Sequence, residues 1–169
     1  RRFRDIELFG YSHLFDAATQ TQFSAVTFRP SKNKLYVFFR GTDSTLVGWK
    51  EDFNMCFVCP VPAQSNAVDY LNRIAASNGG DITVGGHSKG GNLAVYASAF
   101  CEQAARRRIT HIYNYDGPGF TEDVLNSDSY KSICVLVNTF VPQSSVVGML
   151  LGHEEKYTII HSTESGIMQ

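Results

Sequence analysis

The chain lacks any excess of charge. Fifteen Lys and Arg face sixteen Asp and Glu, leaving a net charge of -1 with only 18% of residues charged. That balance excludes the cationic footprint of a dedicated nucleic-acid binder. Long hydrophobic runs are also missing. The longest, Val146-Val147-Gly148-Met149-Leu150-Leu151, is far too short to span a bilayer. Cysteine is scarce, with four residues at 56, 59, 101 and 134. Cys56 and Cys59 have the spacing of a redox or zinc half-site, but no second CxxC or His pair completes it, so free thiols and no metal are expected. A cytoplasmic setting fits that expectation. Low charge does not mean disorder here, because hydrophobic residues make up 43% of the chain. A chain of 169 residues buries roughly 70% of its unfolded surface and needs no staple. One domain is expected over residues 1–169, shortened at both ends, since the sequence opens on Arg1 and stops at Gln169 without a polar tail. Nothing in it specifies an oligomeric state.

The pattern of what is present is that of an α/β protein. Phe23–Phe28 and Leu35–Phe39, rich in β-branched and aromatic residues, flank the turn formers Arg29 to Lys34 and read as a hairpin. Asp5 to Phe15 is expected to supply an earlier strand. Helices are expected over Trp49 to Phe57 and along the face Ala67, Leu71, Ile74, Ala75, the latter closed by Asn78-Gly79-Gly80. Ile82-Thr83-Val84 then begins a buried strand. A helical stripe of Leu93, Ala94, Ala97 and Cys101 runs into Arg106-Arg107-Arg108, where cations are expected to offset the dipole of a helix end. Beyond it come a strand at Ile109–Tyr115, a short helix at Thr121–Leu125 and a strand at Ser132–Val141. A helix at Val146–Leu151 and a strand at Tyr157–His161 complete the pattern. Alternation of this kind implies parallel strands joined by right-handed crossovers. The expected fold is a three-layer α/β sandwich, mostly parallel, with antiparallel strands at the N-terminal edge.

The chemistry concentrates in Gly85-Gly86-His87-Ser88-Lys89-Gly90-Gly91-Asn92, where glycines lie two before and two after a serine. A serine on a sharp strand-to-helix turn needs neighbours without side chains, and the turn lifts its hydroxyl clear of the sheet. The helix that follows points its N-terminus at developing negative charge. An apolar strand before the motif and an amphipathic stretch after it supply the required context. Acyl transfer also needs two donors for the tetrahedral oxygen. The Lys89 backbone N–H supplies one. Thr42, just past the strand in Phe38-Phe39-Arg40-Gly41-Thr42-Asp43, supplies the other. The side chain of Lys89 is expected in solvent at the helix start, with an anionic substrate as the alternative.

These segments resemble the signature of class 3 lipases, an α/β-hydrolase family. Phe39-Arg40-Gly41-Thr42, Trp49, Asp52 and Gly86-His87-Ser88-Lys89-Gly90-Gly91 carry the likeness. More closely, Gly48-Trp49-Lys50-Glu51-Asp52-Phe53, Asp116-Gly117-Pro118-Gly119-Phe120 and Val141-Pro142-Gln143-Ser144-Ser145 are similar to motifs of a mainly bacterial, lipase-like branch, over Phe3 to Gln169. The resemblance implies a carboxylic ester hydrolase acting on a small-molecule ester or lipid without a cofactor. Ser88 would be the nucleophile, Thr42 and Lys89 the oxyanion hole, and Trp49 and Asp52 braces for the oxyanion loop.

A serine nucleophile needs a base, and the base an acid. Asp116 is the expected acid, at the carboxyl end of the strand after the nucleophile helix. Class 3 lipases carry theirs one strand later, and the corresponding place near Thr139 holds no carboxylate in sequence. The alternative for Asp116 is a cap on the helix from Thr121; Asp43 and Asp52 have similar capping alternatives. For the base, His87 adjoins the nucleophile on too tight a turn, His13 comes too early, and His111 and His153 are expected on the wrong rim. Three readings stay open: a histidine just after Gln169, following the Gly166–Gln169 stretch; His161; or no functional base. The last corresponds to a catalytically silent binding or regulatory module. A thioesterase, acyltransferase or peptidase would use the same residues.

Overall fold

The computed structural model describes residues 4–42, 54–55 and 58–161. The expected helix at Trp49–Phe57 therefore falls almost wholly outside the described residues, as do Asp43, Trp49, Asp52, Cys56 and the stretch Gly166–Gln169. Seven strands among the described residues form one sheet in sequence order. They are β1 (Glu7–Asp16), β2 (Thr21–Ser31), β3 (Lys34–Phe39), β4 (Asp81–His87), β5 (Ile109–Tyr115), β6 (Val137–Pro142) and β7 (Tyr157–Ile160). The meander β1-β2-β3 is antiparallel, and every pairing from β3 to β7 is parallel. Alternation sets the faces. In β3, Leu35, Val37 and Phe39 are buried while Lys34, Tyr36 and Phe38 are exposed, so a period of two directs one side to a core.

That core lies under α1 (Pro62–Ser77) and α2 (Lys89–Phe100). The expected face of Ala67, Leu71, Ile74 and Ala75 is buried, with Tyr70 beside it. Tyr70 packs edge-on against Phe23 and Phe39, and its hydroxyl meets Thr27 Oγ1 at 2.8 Å. Three one-turn helices follow: α3 (Gln103–Arg106), α4 (Glu122–Leu125) and α5 (Asp128–Lys131).

Several element boundaries differ from expectation. The stripe through Cys101 does not run into the arginines, because α2 ends at Phe100 and α3 starts afresh. Arg108 then reaches across to a different helix. Its Nη1 donates to Ala75 O at 2.7 Å, in the last turn of α1, and its Nε to Gly80 O at 2.8 Å. The strand expected from Ser132 begins only at Val137, after a 3-10 turn at Cys134–Leu136, and the expected helix at Val146–Leu151 shrinks to a 3-10 turn at Val147–Met149. Glycine and β-branched valines disfavour a longer helix there.

The opposite face of the sheet carries a run of rings. His111, Tyr113, Tyr115 and Phe140 stack in sequence at 5.6 to 6.1 Å between centroids. Of these, Tyr113 and Tyr115 border, with Tyr36, Phe38 and the bare Gly85, a groove of about 640 Å³. No helix among the described residues is long and apolar enough to cross a membrane.

Candidate active site

Ser88 stands between the last residue of β4 and the first of α2, with φ 55° and ψ -129°. A residue bearing a side chain rarely holds that conformation, which costs on the order of 1–3 kcal/mol. Close packing maintains it. A Cβ on Gly86 would fall inside the Gly90 carbonyl, and one on Gly90 inside the carbonyl of Phe39 at the end of β3. Backbone bonds complete the turn: Ser88 N donates to Tyr115 O at 2.9 Å, and Gly91 N to Ser88 O at 2.8 Å. Ser88 itself is half-buried.

The loop after β3 lies against this turn. A Cβ on Gly41 would sit 2.7 Å from His87 O and 3.4 Å from Ser88 Cβ, so only a glycine admits this approach. Thr42 follows it, half-buried. The structure thus brings the Gly41-Thr42 loop against Ser88 and Lys89 at one rim.

The side chain of Lys89 is the correction. It is 1% exposed, and neither solvent nor an anionic substrate meets it. Its Nζ donates to Gln22 O at 2.8 Å and to Gln22 Oε1 at 2.7 Å. The physical reason is geometric: Lys89 opens α2 on the inner side of the elbow, so its stem runs back toward β2, where a buried amine requires acceptors.

Asp116 leaves β5 beside Ser88, since His87 and Tyr115 are paired in register. It too has a left-handed backbone, φ 56°. Its N–H donates to Phe140 O at 2.9 Å, and its Oδ1 accepts from Ser145 Oγ in the loop after β6. Gly148 packs so close that a Cβ there would meet the carboxylate. The capping alternative fails, because Thr121 is the N-cap of α4 and the Asp116 carboxylate turns instead toward Ser145. Asn92, in the first turn of α2, bonds Pro118 O and Gly119 O at 3.1 and 2.9 Å and accepts from Gln64 Nε2 of α1 at 2.9 Å. The loop after β5 is therefore tied to the helical layer.

The histidines are scattered. His87, His13 and His111 are exposed, and His111 stacks on Tyr113 near the start of β5. His161 follows β7 at the carboxyl rim, but three strand spacings of about 4.8 Å separate β7 from β4. A single imidazole does not bridge that gap. His153 is not at the opposite rim. Because β7 pairs only with Thr139–Pro142 of β6, the residues before it lie at mid-sheet. His153 Nδ1 bonds Glu155 Oε1 at 2.9 Å.

Sequence reading missed this last cluster altogether. Glu155 is 6% exposed, and it also accepts from Tyr130 OH at 2.6 Å and Thr139 Oγ1 at 2.8 Å. Burial pushes its carboxyl up, but the three donors outweigh burial and hold it at about 2. Tyr130 rises well above the usual phenol range, through burial first and then the adjacent Glu155. A carboxylate thus does sit at Thr139, delivered from the segment before β7. The signal for it was slight: a Glu in a polar loop is ordinarily solvated. Among the described residues no group of three His, Cys, Asp or Glu side chains is placed to hold a metal. Cys59, Cys101 and Cys134 are free thiols.

A serine on a strained turn between a parallel strand and a helix, at the carboxyl rim of a mostly parallel sheet with an antiparallel edge, defines the α/β-hydrolase fold. Three solved lipases share it. A fungal lipase–inhibitor complex, described with a model for interfacial activation, has a TM-score of 0.60 and 16% identity over 85% of this chain and 60% of that one. M37 lipase scores 0.63, with 13% identity over 85% and 56%. A triacylglycerol lipase from Penicillium expansum scores 0.61, with 12% identity over 93% and 70%. The chain spans about three-fifths of the first two lipases. At these identities the likeness is one of fold. The chain belongs to the Mbeg1-like family, whose model matches residues 1–169. No curated protein matches its sequence.

Proposed function

We propose that the protein is a serine hydrolase of carboxylic esters. The observation that carries this reading is the Ser88 turn, strained at φ 55° and crowded by Gly41. Ser88 Oγ attacks the acyl carbonyl and passes its proton to a histidine. The N–H groups of Lys89 and Thr42 hold the oxyanion, and collapse breaks the ester C–O bond as the histidine gives its proton to the departing alcohol. Water then attacks the acyl-enzyme by the same steps in reverse. Asp116 orients the histidine, which is supplied by chain beyond the described residues. Free thiols at Cys59, Cys101 and Cys134 fit a cytoplasmic setting.

The distance of His161 from β4 favours one second reading, a silent binding module of the same fold. Fluorophosphonate labelling separates the two. Wild type is expected to label at Ser88 and to hydrolyse nitrophenyl esters, and Ser88→Ala to lose label and at least 10³-fold in kcat. Equal hydrolysis by both would remove Ser88 from the mechanism. A folded wild type that takes no label would support the module. Removing one oxyanion donor is worth roughly 10²–10³ in kcat, but a backbone N–H survives side-chain exchange, so Thr42→Ala is expected to cost less than Ser88→Ala.

A further inference from the structure

The loop that carries Asp116 packs directly on the backbone of the nucleophile. A Cβ on Gly117 would lie 2.7 Å from Ser88 O and 2.8 Å from Asn92 N. Asn92, one turn after Ser88 in α2 and 1% exposed, closes that contact with its side chain. Its Nδ2 gives one hydrogen to Pro118 O at 3.1 Å and the other to Gly119 O at 2.9 Å. The orientation of this amide is imposed from α1. Val61 N, at the N-cap of that helix, donates to Gln64 Oε1 at 3.0 Å, which turns the Gln64 Nε2 toward Asn92 Oδ1 at 2.9 Å. The Asn92 amide is thereby fixed with its NH2 toward the loop. A buried amide with both donors and its acceptor engaged keeps its geometry, because an orphaned partner costs about 1–3 kcal/mol. Asp116 needs such a hold. Its backbone is left-handed, at φ 56°, a conformation that a residue with a side chain keeps only where its surroundings impose it.

We infer that Asn92 is a positioning residue: it sets the span between Ser88 and the Asp116 carboxylate, and so the place of the histidine between them. The inference rests on the hydrolase reading of Ser88 and Asp116. Asn92 touches no reacting atom. It rides on the helix of the nucleophile and grips the loop of the acid, so a shift of one group against the other has to break its bonds. A misplacement of about 1 Å at a catalytic group costs as much as 100-fold in rate. The chemistry of the side chain is specific as well. An isosteric aspartate would set a carboxylate against two carbonyl oxygens, and an aliphatic residue would leave both carbonyls and the Gln64 amide without their partner.

The test is a double-mutant cycle on the full chain with nitrophenyl acetate, comparing wild type, Asn92→Ala, Asp116→Asn and the two combined. Asn92→Ala is expected to lose roughly 10- to 100-fold in kcat, with KM within about twofold of wild type. In the Asp116→Asn background the same substitution should cost less than about threefold, because residues that act through one another are not additive. Ser98→Ala serves as control. It removes another buried polar group of α2, one bonded within the helix to Ala94 O at 2.7 Å, and should leave kcat unchanged. Gln64→Met keeps Asn92 but frees its amide to turn, and should lower kcat severalfold in the same cycle; it decides the question if Asn92→Ala does not fold. A kcat equal to that of wild type, or a loss undiminished in the Asp116→Asn background, would overturn the inference and leave the hydrolase reading standing. A folded wild type that neither hydrolyses the ester nor takes a fluorophosphonate label at Ser88 would bring down both.

Discussion

Lys89 joins the elbow to the far strand β2. Its Nζ takes both the main-chain and the side-chain oxygen of Gln22, which is itself 1% exposed. Hydrogen bonds from a charged donor are worth roughly 1.5–3 kcal/mol each, and orphaning their acceptors costs more than the pair contributes. Lys89→Met keeps the volume but removes the charged donor from Gln22 O and Oε1. It is expected to lower unfolding free energy by about 2–4 kcal/mol in urea titration; a change below about 0.5 kcal/mol would show the pair to be dispensable. The same residue marks what sequence could and could not say here. The glycine spacing around Ser88 announced the turn, because only that spacing lets backbone pass so close. Nothing within ten residues of Lys89 announced Gln22, sixty-seven positions away.

Helix α1 ends where Arg108 meets it. Terminal carbonyls of a helix lack intrahelical partners, and a cation there also offsets the dipole. Arg108 answers both needs for α1 and bonds Gly80 as well, while its own carbonyl accepts from Ile82 N at 2.8 Å at the start of β4. Arg107 is exposed. Arg108→Ala should therefore cost about 1–2 kcal/mol in thermal or urea unfolding, and Arg107→Ala almost nothing. Equal effects would refute the assigned cap. The run of three arginines was visible as a helix-end signal, yet the helix it serves precedes it by some thirty residues. Periodicity located α1 and β3 well, because each buries one face along its whole length, and the unbroken apolar run of Ile82-Thr83-Val84 located β4, which is buried on both faces. The stretch before β6 misled for the opposite reason: Ile133, Cys134, Val135 and Leu136 look strand-like, but Val135 is exposed and the segment forms a 3-10 turn.

Across the molecule, the Glu155 cluster joins α5, β6 and the segment entering β7. Its carboxyl, ordinarily near 4.5, is held at about 2 in the folded protein. A depressed carboxylate stabilises fully above its unfolded value, and that contribution drains away as pH falls from about 4.5 through 2. The loss amounts to roughly 3 kcal/mol. Melting temperature should therefore fall across that window, and Glu155→Gln should start lower at neutral pH and show a shallower decline. Parallel acid profiles for the two proteins would remove Glu155 as a source of acid sensitivity.

The amino-acid order alone determined the alternation of strands and helices, the antiparallel edge and the elbow at Ser88. All of these are local patterns, set by periods of two and 3.6 residues or by the space a missing Cβ leaves. Tertiary structure alone decided where Lys89 buries its amine, which helix Arg108 caps, that Asp116 faces Ser145, and that a carboxylate from position 155 reaches Thr139. Those contacts join residues from 16 to 67 positions apart, and each exists because a buried polar group must find a partner wherever the packed chain brings one within reach.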